Sequence, residues 1–203
     1  DDDAVPVDDD DATPPTDDDD LVLLDPQAEP LVDVTLQRGL DFVSPGWPAG
    51  ELPAFAEDQA NGGGGALADL DADGDLDLVL TAPRGDNAVY LNDGGAFVRV
   101  AQSGIEGLPG SSCVTAADLN GDRRPELLLG VQRQVLVFGN AGDGRFELVG
   151  PAHVLPAGGA VEGITAADVD GDGRVDLYVS AQGRHLPGEW PSEAWTADDV
   201  LLR

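Results

Sequence analysis

Three short acidic stretches carry the residues whose types and spacing best suit chemistry. In GALADLDADGDLDLVL, which starts at Gly65, Asp69, Asp71, Asp73 and Asp77 hold positions 1, 3, 5 and 9 of a loop, with Gly74 at position 6 and Asp75 at position 7. ITAADVDGDGRVDLYV, from Ile164, repeats the design with Asp168, Asp170, Asp172, Gly173, Arg174 and Asp176. Alternate oxygens around a glycine suit Ca²⁺, a hard cation that takes about 6 to 8 oxygen ligands in a flexible shell. The glycine permits a sharp turn that points several side chains inward, and position 7 offers its backbone carbonyl, here that of Asp75 or Arg174. Without a cation, so many carboxylates in so short a span repel one another.

The middle stretch, VTAADLNGDRRPELLL from Val114, departs from this design. Asp118, Asn120 and Asp122 hold positions 1, 3 and 5, Arg124 takes the carbonyl position and Glu126 closes the loop, but Arg123 stands where the others have glycine. A bulky residue in a left-handed conformation costs roughly 1 kcal/mol or more, and two arginines partly neutralise the acids. Weak Ca²⁺ binding and a merely retained turn shape both stay open for this loop. An EF-hand is excluded for all three: it needs a bidentate Glu at position 12, where this chain has Leu80, Leu129 and Val179.

The elements that must hold these loops repeat with them. Asp69, Asp118 and Asp168 are spaced by 49 and 50 residues. Each loop is flanked by alternating apolar runs, the signature of strands. A second run follows at Val89-Tyr90-Leu91-Asn92 and Val135-Leu136-Val137-Phe138, then a Gly-rich turn and a third run at Phe97–Val100 and Phe146–Val149. Each unit therefore reads as four strands, and a four-stranded unit at this period predicts an all-β, partial β-propeller with Ca-binding hairpin loops. The expected organisation is an acidic disordered linker at 1–30, an outer closing strand plus long loop at 31–62, blades at 63–110 and 111–160, and an incomplete blade at 161–203. In the last, Val200–Arg203 is the counterpart of the Tyr90 run. The absence of Met leads us to expect a processed or excised piece of a longer precursor.

Charge separates the partners. The 203 residues hold 40 Asp and Glu against 10 Lys and Arg, a formal charge of −30. Nucleic acid and anionic membrane surfaces are repelled by such a chain. No apolar run reaches the roughly 20 residues of a membrane span, so no membrane insertion is expected. Eleven Asp lie in the first 20 residues, among prolines, and read as a self-repelling spacer. Cys113 is the lone cysteine, read as a buried inert thiol, and His153 and His185 lie in no nucleophile-like motif. No catalytic residue is named. The alternative class, a propeller enzyme acting on glycans or similar extracellular substrates, has only Trp47, Trp190, Trp195, Arg184 and His185 to draw on.

The Asp-x-Asp-x-Asp-Gly-x-x-Asp hairpins at this period resemble the FG-GAP or VCBS repeats of the integrin alpha subunit propeller, in which a calcium loop joins the first two strands of a blade. Val32–Thr35, Gly39–Phe42 and Gly62–Gly65 running into Ala68–Asp71 resemble the secreted cartilage acidic protein and its bacterial ASPIC/UnbV relatives. The resemblance spans about residues 31–203. It implies a non-enzymatic, extracellular or cell-envelope scaffold for recognition or adhesion, with a lipid-anchored surface form among the expectations, structural Ca²⁺, and an extracellular protein or glycan as partner.

Overall fold

The computed structural model describes residues 32–45, 62–155, 159–183 and 200–202. The chain divides into Asp1–Val34 and Thr35–Arg203. Of the first unit, residues 32–34 are described and belong to no strand. An extended run becomes a strand only by ladder pairing, and no ladder among the described residues includes them. The expected acidic linker at 1–30 lies outside the described residues.

The second unit opens with a 3₁₀ turn at Leu36–Arg38, closed by Gly39 in the left-handed conformation. Three antiparallel sheets follow, and no α-helix occurs among the described residues. The first sheet comprises β1 (Gly65–Ala68), β2 (Asp77–Leu80), β3 (Ala88–Asp93) and β4 (Ala96–Arg99) in sequential order. The second repeats it with β5 (Ser111–Ala117), β6 (Glu126–Val131), β7 (Gln134–Gly142) and β8 (Arg145–Val154). The third has β9 (Gly159–Ala167), β10 (Asp176–Gly183) and β11 (Val200–Leu202), the last paired with β10 as β3 pairs with β2. β5 lies beside both β1 and β9, so the first strands of the three sheets neighbour one another.

Registers match between sheets. Asp77 faces Ala68, Glu126 faces Ala117 and Asp176 faces Ala167, so each position-9 acid begins a second strand at the mouth of the hairpin. Period-2 alternation then sends successive side chains to opposite faces. In β6, Leu127 and Leu129 enter a core shared with Leu70, Val79 and Val89 of the first sheet. Leu128, between them, enters another shared with Val161, Leu177 and Val179 of the third. Each fully buried Leu stabilises the stack by about 1.5–3 kcal/mol. Cys113 belongs to this second core, and burial pushes its thiol pKa up.

The links between sheets are buried as firmly as the strands. After β4 the chain lays Ser103 against β8, where its carbonyl accepts the Phe146 N–H at 2.7 Å. Ile105 is fully buried in the first core. Glu106 accepts from the Ser103 N–H and hydroxyl and from the Gly104 N–H at 2.7, 2.8 and 2.9 Å. Burial raises its pKa, but its own N–H together with these donors outweighs that and leaves the carboxyl below its usual value. After β8 the counterpart is Leu155, buried in the second core, whose N–H donates to Arg133 O at 2.8 Å while the Arg133 guanidinium donates to the Leu155 carbonyl.

Gly104 sits at φ +93°, and a Cβ there would run into the Phe146 carbonyl oxygen. Gly107 has a positive φ of +67° but open space around it. Gly104→Ala should therefore cost about 2–3 kcal/mol in urea unfolding, from strain plus displacement of β8, and Gly107→Ala no more than about 1–2 kcal/mol. Equal losses would show that the close approach to Phe146 is unimportant.

Candidate metal centre

The loops at 69–76, 118–125 and 168–175 join β1 to β2, β5 to β6 and β9 to β10. Their shape comes from carboxylates bonding to nearby backbone, the mechanism of Asx turns. Position 3 accepts from the N–H of position 5: Asp73 N to Asp71, Asp122 N to Asn120 and Asp172 N to Asp170, at 3.2, 2.8 and 3.2 Å. Position 5 does the same for position 7, through Asp75, Arg124 and Arg174. Position 1 accepts from position 6, through Gly74, Arg123 and Gly173 at 3.1, 2.8 and 2.8 Å.

Two residues per loop are left-handed. Position 6 has φ values of +97° at Gly74, +71° at Arg123 and +86° at Gly173. Position 4, which the sequence reading passed over, has +67° at Ala72, +80° at Gly121 and +77° at Gly171. Arg123 thus keeps the turn shape despite its side chain, and Ala72 accepts the same strain in the first loop. The Gly at position 4 in two of three loops was the signal available in the sequence.

At position 9 the acid is buried. Asp77 is 0% exposed, Glu126 6% and Asp176 5%. Each accepts the N–H of position 2, from Leu70 at 2.7 Å, Leu119 at 2.8 Å and Val169 at 3.0 Å. The second Asp77 oxygen accepts the Asn92 N–H at 2.8 Å. Burial raises the Asp77 pKa most, with the charges of Asp71 and Asp73 adding to it, against the lowering effect of its two backbone donors. Asp71 is raised as well, chiefly by desolvation and also by Asp73 and Asp69.

Two groups bring carboxylate oxygens within 4.8 Å of one another: Asp69, Asp71 and Asp77, and Asp168, Asp170 and Asp176. They are positions 1, 3 and 9 of the first and third loops. Asp73 and Asp172 at position 5 and Asp75 at position 7 are not in these groups. Asp75 instead accepts the Gly94 N–H of the β3–β4 turn at 2.8 Å. Arg174 pairs with Asp172 at 2.6 Å on the surface, which raises the Arg174 pKa.

The first loop has a further property. In the other two loops, Oδ1 of the position-1 acid accepts the position-4 N–H, from Gly121 and from Gly171, both at 2.7 Å. Asp69 Oδ1 is buried and accepts no hydrogen bond. An orphaned buried carboxylate oxygen is costly, and this one belongs to a cluster of three acids. The donor set, hard oxygens with no nitrogen or sulfur, fits Ca²⁺.

The second loop is organised differently. The Asn120 Oδ1 takes the Asp122 N–H, which directs the amide N–H groups to Glu126 at 2.8 Å and Asp122 at 3.1 Å. An amide therefore bridges two acids in this loop. Burial raises the pKa of Asp118, but the N–H groups of Arg123, Gly121, Asp122 and Asn120 outweigh it and hold the group low.

Asn92 and Asn140, two residues after Tyr90 and Phe138, were not singled out as functional by the sequence. Asn92 donates to Leu76 O at 3.0 Å and Asn140 to Pro125 O at 3.2 Å, each tying its loop's position 8 to the third strand. Their recurrence 48 residues apart was the available signal. Trp47, Arg184, His185, Trp190 and Trp195 lie outside the described residues.

Residues 69–129 and 124–179 each match the family described as FG-GAP-like repeat. No curated protein matches the chain.

A raised folded pKa makes a carboxyl stabilising below its unfolded value and removes that contribution as pH rises through the folded value. For Asp71 that decline begins near 3.8 and runs upward. In EDTA, Asp71→Asn should therefore gain melting temperature relative to the unmodified chain as pH rises from about 4 to 7. A constant difference across that range would mean that Asp71 carries no such strain.

Proposed function

The chain belongs to the FG-GAP-like repeat family, and on that premise we propose that it is a non-enzymatic recognition or adhesion scaffold of the extracellular space or cell envelope, with structural Ca²⁺ in its hairpin loops. Repeats of this family are of the propeller type, and the antiparallel sheets with neighbouring first strands have that architecture. The observation that carries the proposal is Asp69 Oδ1, buried without a partner in a cluster with Asp71 and Asp77. Asp69, Asp71 and Asp77 hold one ion and Asp168, Asp170 and Asp176 a second. Bound there, Ca²⁺ offsets the repulsion among the acids and pins each hairpin to its sheet.

Compartment follows from affinity. Extracellular Ca²⁺ saturates sites of modest strength that cytosolic levels leave empty. Among the described residues no helix is long and apolar enough to cross a membrane. Within the family, the resemblance of Val32–Thr35 and Gly39–Phe42 to the cartilage acidic protein and its ASPIC/UnbV relatives points to an extracellular protein or glycan as the partner.

Calorimetric titration of the whole chain with Ca²⁺ should give two sites, one lost on Asp71→Asn and the other on Asp170→Asn. Ca²⁺ at 100 times Kd should add about 2.7 kcal/mol of stability per site, read as a rise in melting temperature that EDTA reverses. No heat of binding, or a melting temperature indifferent to EDTA, would sink the calcium assignment. A third site would show that the amide bridge of Asn120 gives way to the ion.

A further inference from the structure

The loop carrying the Asp69 cluster is held from outside its own sheet. Leu70 lies between Asp69 and Asp71, and three contacts fix it. Its N–H donates to Asp77 at 2.7 Å. Its side chain is 1% exposed, in the core shared by the first two sheets. Its carbonyl accepts a hydrogen bond from Nδ2 of Asn140, on β7 of the next sheet, at 2.9 Å.

Asn140 is itself oriented for this. Its Oδ1 accepts the Gly142 N–H at 2.8 Å, which fixes the amide plane and leaves Nδ2 to donate to Leu70 O and to Pro125 O. One planar amide, 70 residues from Leu70 in sequence, thereby joins position 2 of the first loop to position 8 of the second. In the third loop the residue equivalent to Leu70 is Val169, which is 57% exposed. Its N–H is held by Asp176, as in the first loop, but its side chain is not clamped in a core.

We infer that Asn140 is a positioning residue for the cation site of the first loop: by fixing the Leu70 peptide it sets the flanking carboxylates of Asp69 and Asp71 before the ion arrives. The inference rests on the calcium reading above. It follows from preorganisation, since ligands already ordered lose less conformational freedom on binding. Groups one shell removed from a metal change its affinity by about 10- to 100-fold. Coupling is reciprocal, so the ion in the first loop also tightens the joint between the first two sheets.

The decisive experiment titrates Ca²⁺ into whole chains in which one loop is silenced. With Asp170→Asn silencing the third loop, Asn140→Ala should weaken the first-loop site by about 10-fold or more. With Asp71→Asn silencing the first loop instead, Asn140→Ala should leave the third-loop affinity unchanged. A merely structural Asn140 would lower the melting temperature in EDTA without this selective loss, and that result overturns the inference, as does an equal loss at both loops. Should Asn140→Ala fail to fold, the unmodified chain decides. Ca²⁺ should slow solvent exchange of the Asn140 side-chain amide protons several-fold, an effect that Asp71→Asn abolishes and Asp170→Asn spares; unchanged exchange overturns the inference. Absence of Ca²⁺ binding by the unmodified chain would instead overturn the calcium reading and this inference with it.

Discussion

The structure depends on a carboxylate buried at the start of each second strand. From position 9, Asp77, Glu126 and Asp176 reach back seven residues to the N–H of position 2. A buried charge with no compensating donor would be expelled; here the backbone supplies the donor, and in doing so closes the loop. The closure has two outward effects. It folds positions 1 and 3 over the acid, and it turns the position-2 side chain toward the next sheet, where Leu70 joins the first core and Leu119 packs against the second. One hydrogen bond, repeated three times, thus ties loop geometry to its strand, and in the first two loops it also accompanies the packing of position 2.

Much of this was legible because the repeat is written in residue types. The spacing of Asp69, Asp118 and Asp168 gave the hairpins their place, and alternating apolar runs gave the strands, including Val200–Leu202 as the third strand of the last sheet. What the residue types did not carry was the division of labour within a loop. By residue type Asp77 was one more oxygen ligand of the loop, whereas its 0% exposure and two backbone donors make it a structural acceptor as well. Ala72 gave no hint of a left-handed backbone, since nothing in an alanine requires one; the hydrogen bonds of the surrounding acids impose it. The contact that Asn140 makes across the sheets was invisible for another reason. Its partner Leu70 is 70 residues away, and no local pattern encodes a contact made by stacking two sheets.

Each sheet completes its neighbour's core. Val79 and Leu128 occupy equivalent register positions, opposite Val89 and Val137, and both enter the core shared with the following sheet. The third sheet has Tyr178 and Leu201 at these positions, 46% and 48% exposed, with Val169 exposed beside them. Their burial is therefore a property of stacking and not of the single sheet, as expected of a repeat whose units cannot bury both faces alone.

The middle loop shows why the same backbone trace need not mean the same chemistry. All three loops share the two left-handed positions and the reach from position 9 to position 2, so the trace does not require a cation. The difference lies in what balances the acids. In the second loop Asn120 replaces an acid and its amide donates to Asp122 and Glu126, while four backbone N–H groups hold the charge of Asp118. In the first loop position 3 is Asp71, which donates nothing, and Asp69 Oδ1 is left without a partner as the pKa values of Asp71 and Asp77 rise. With an amide at position 3, the second loop supplies a side-chain donor there that the first loop lacks. Two ways of balancing the acids thus fit one hairpin shape.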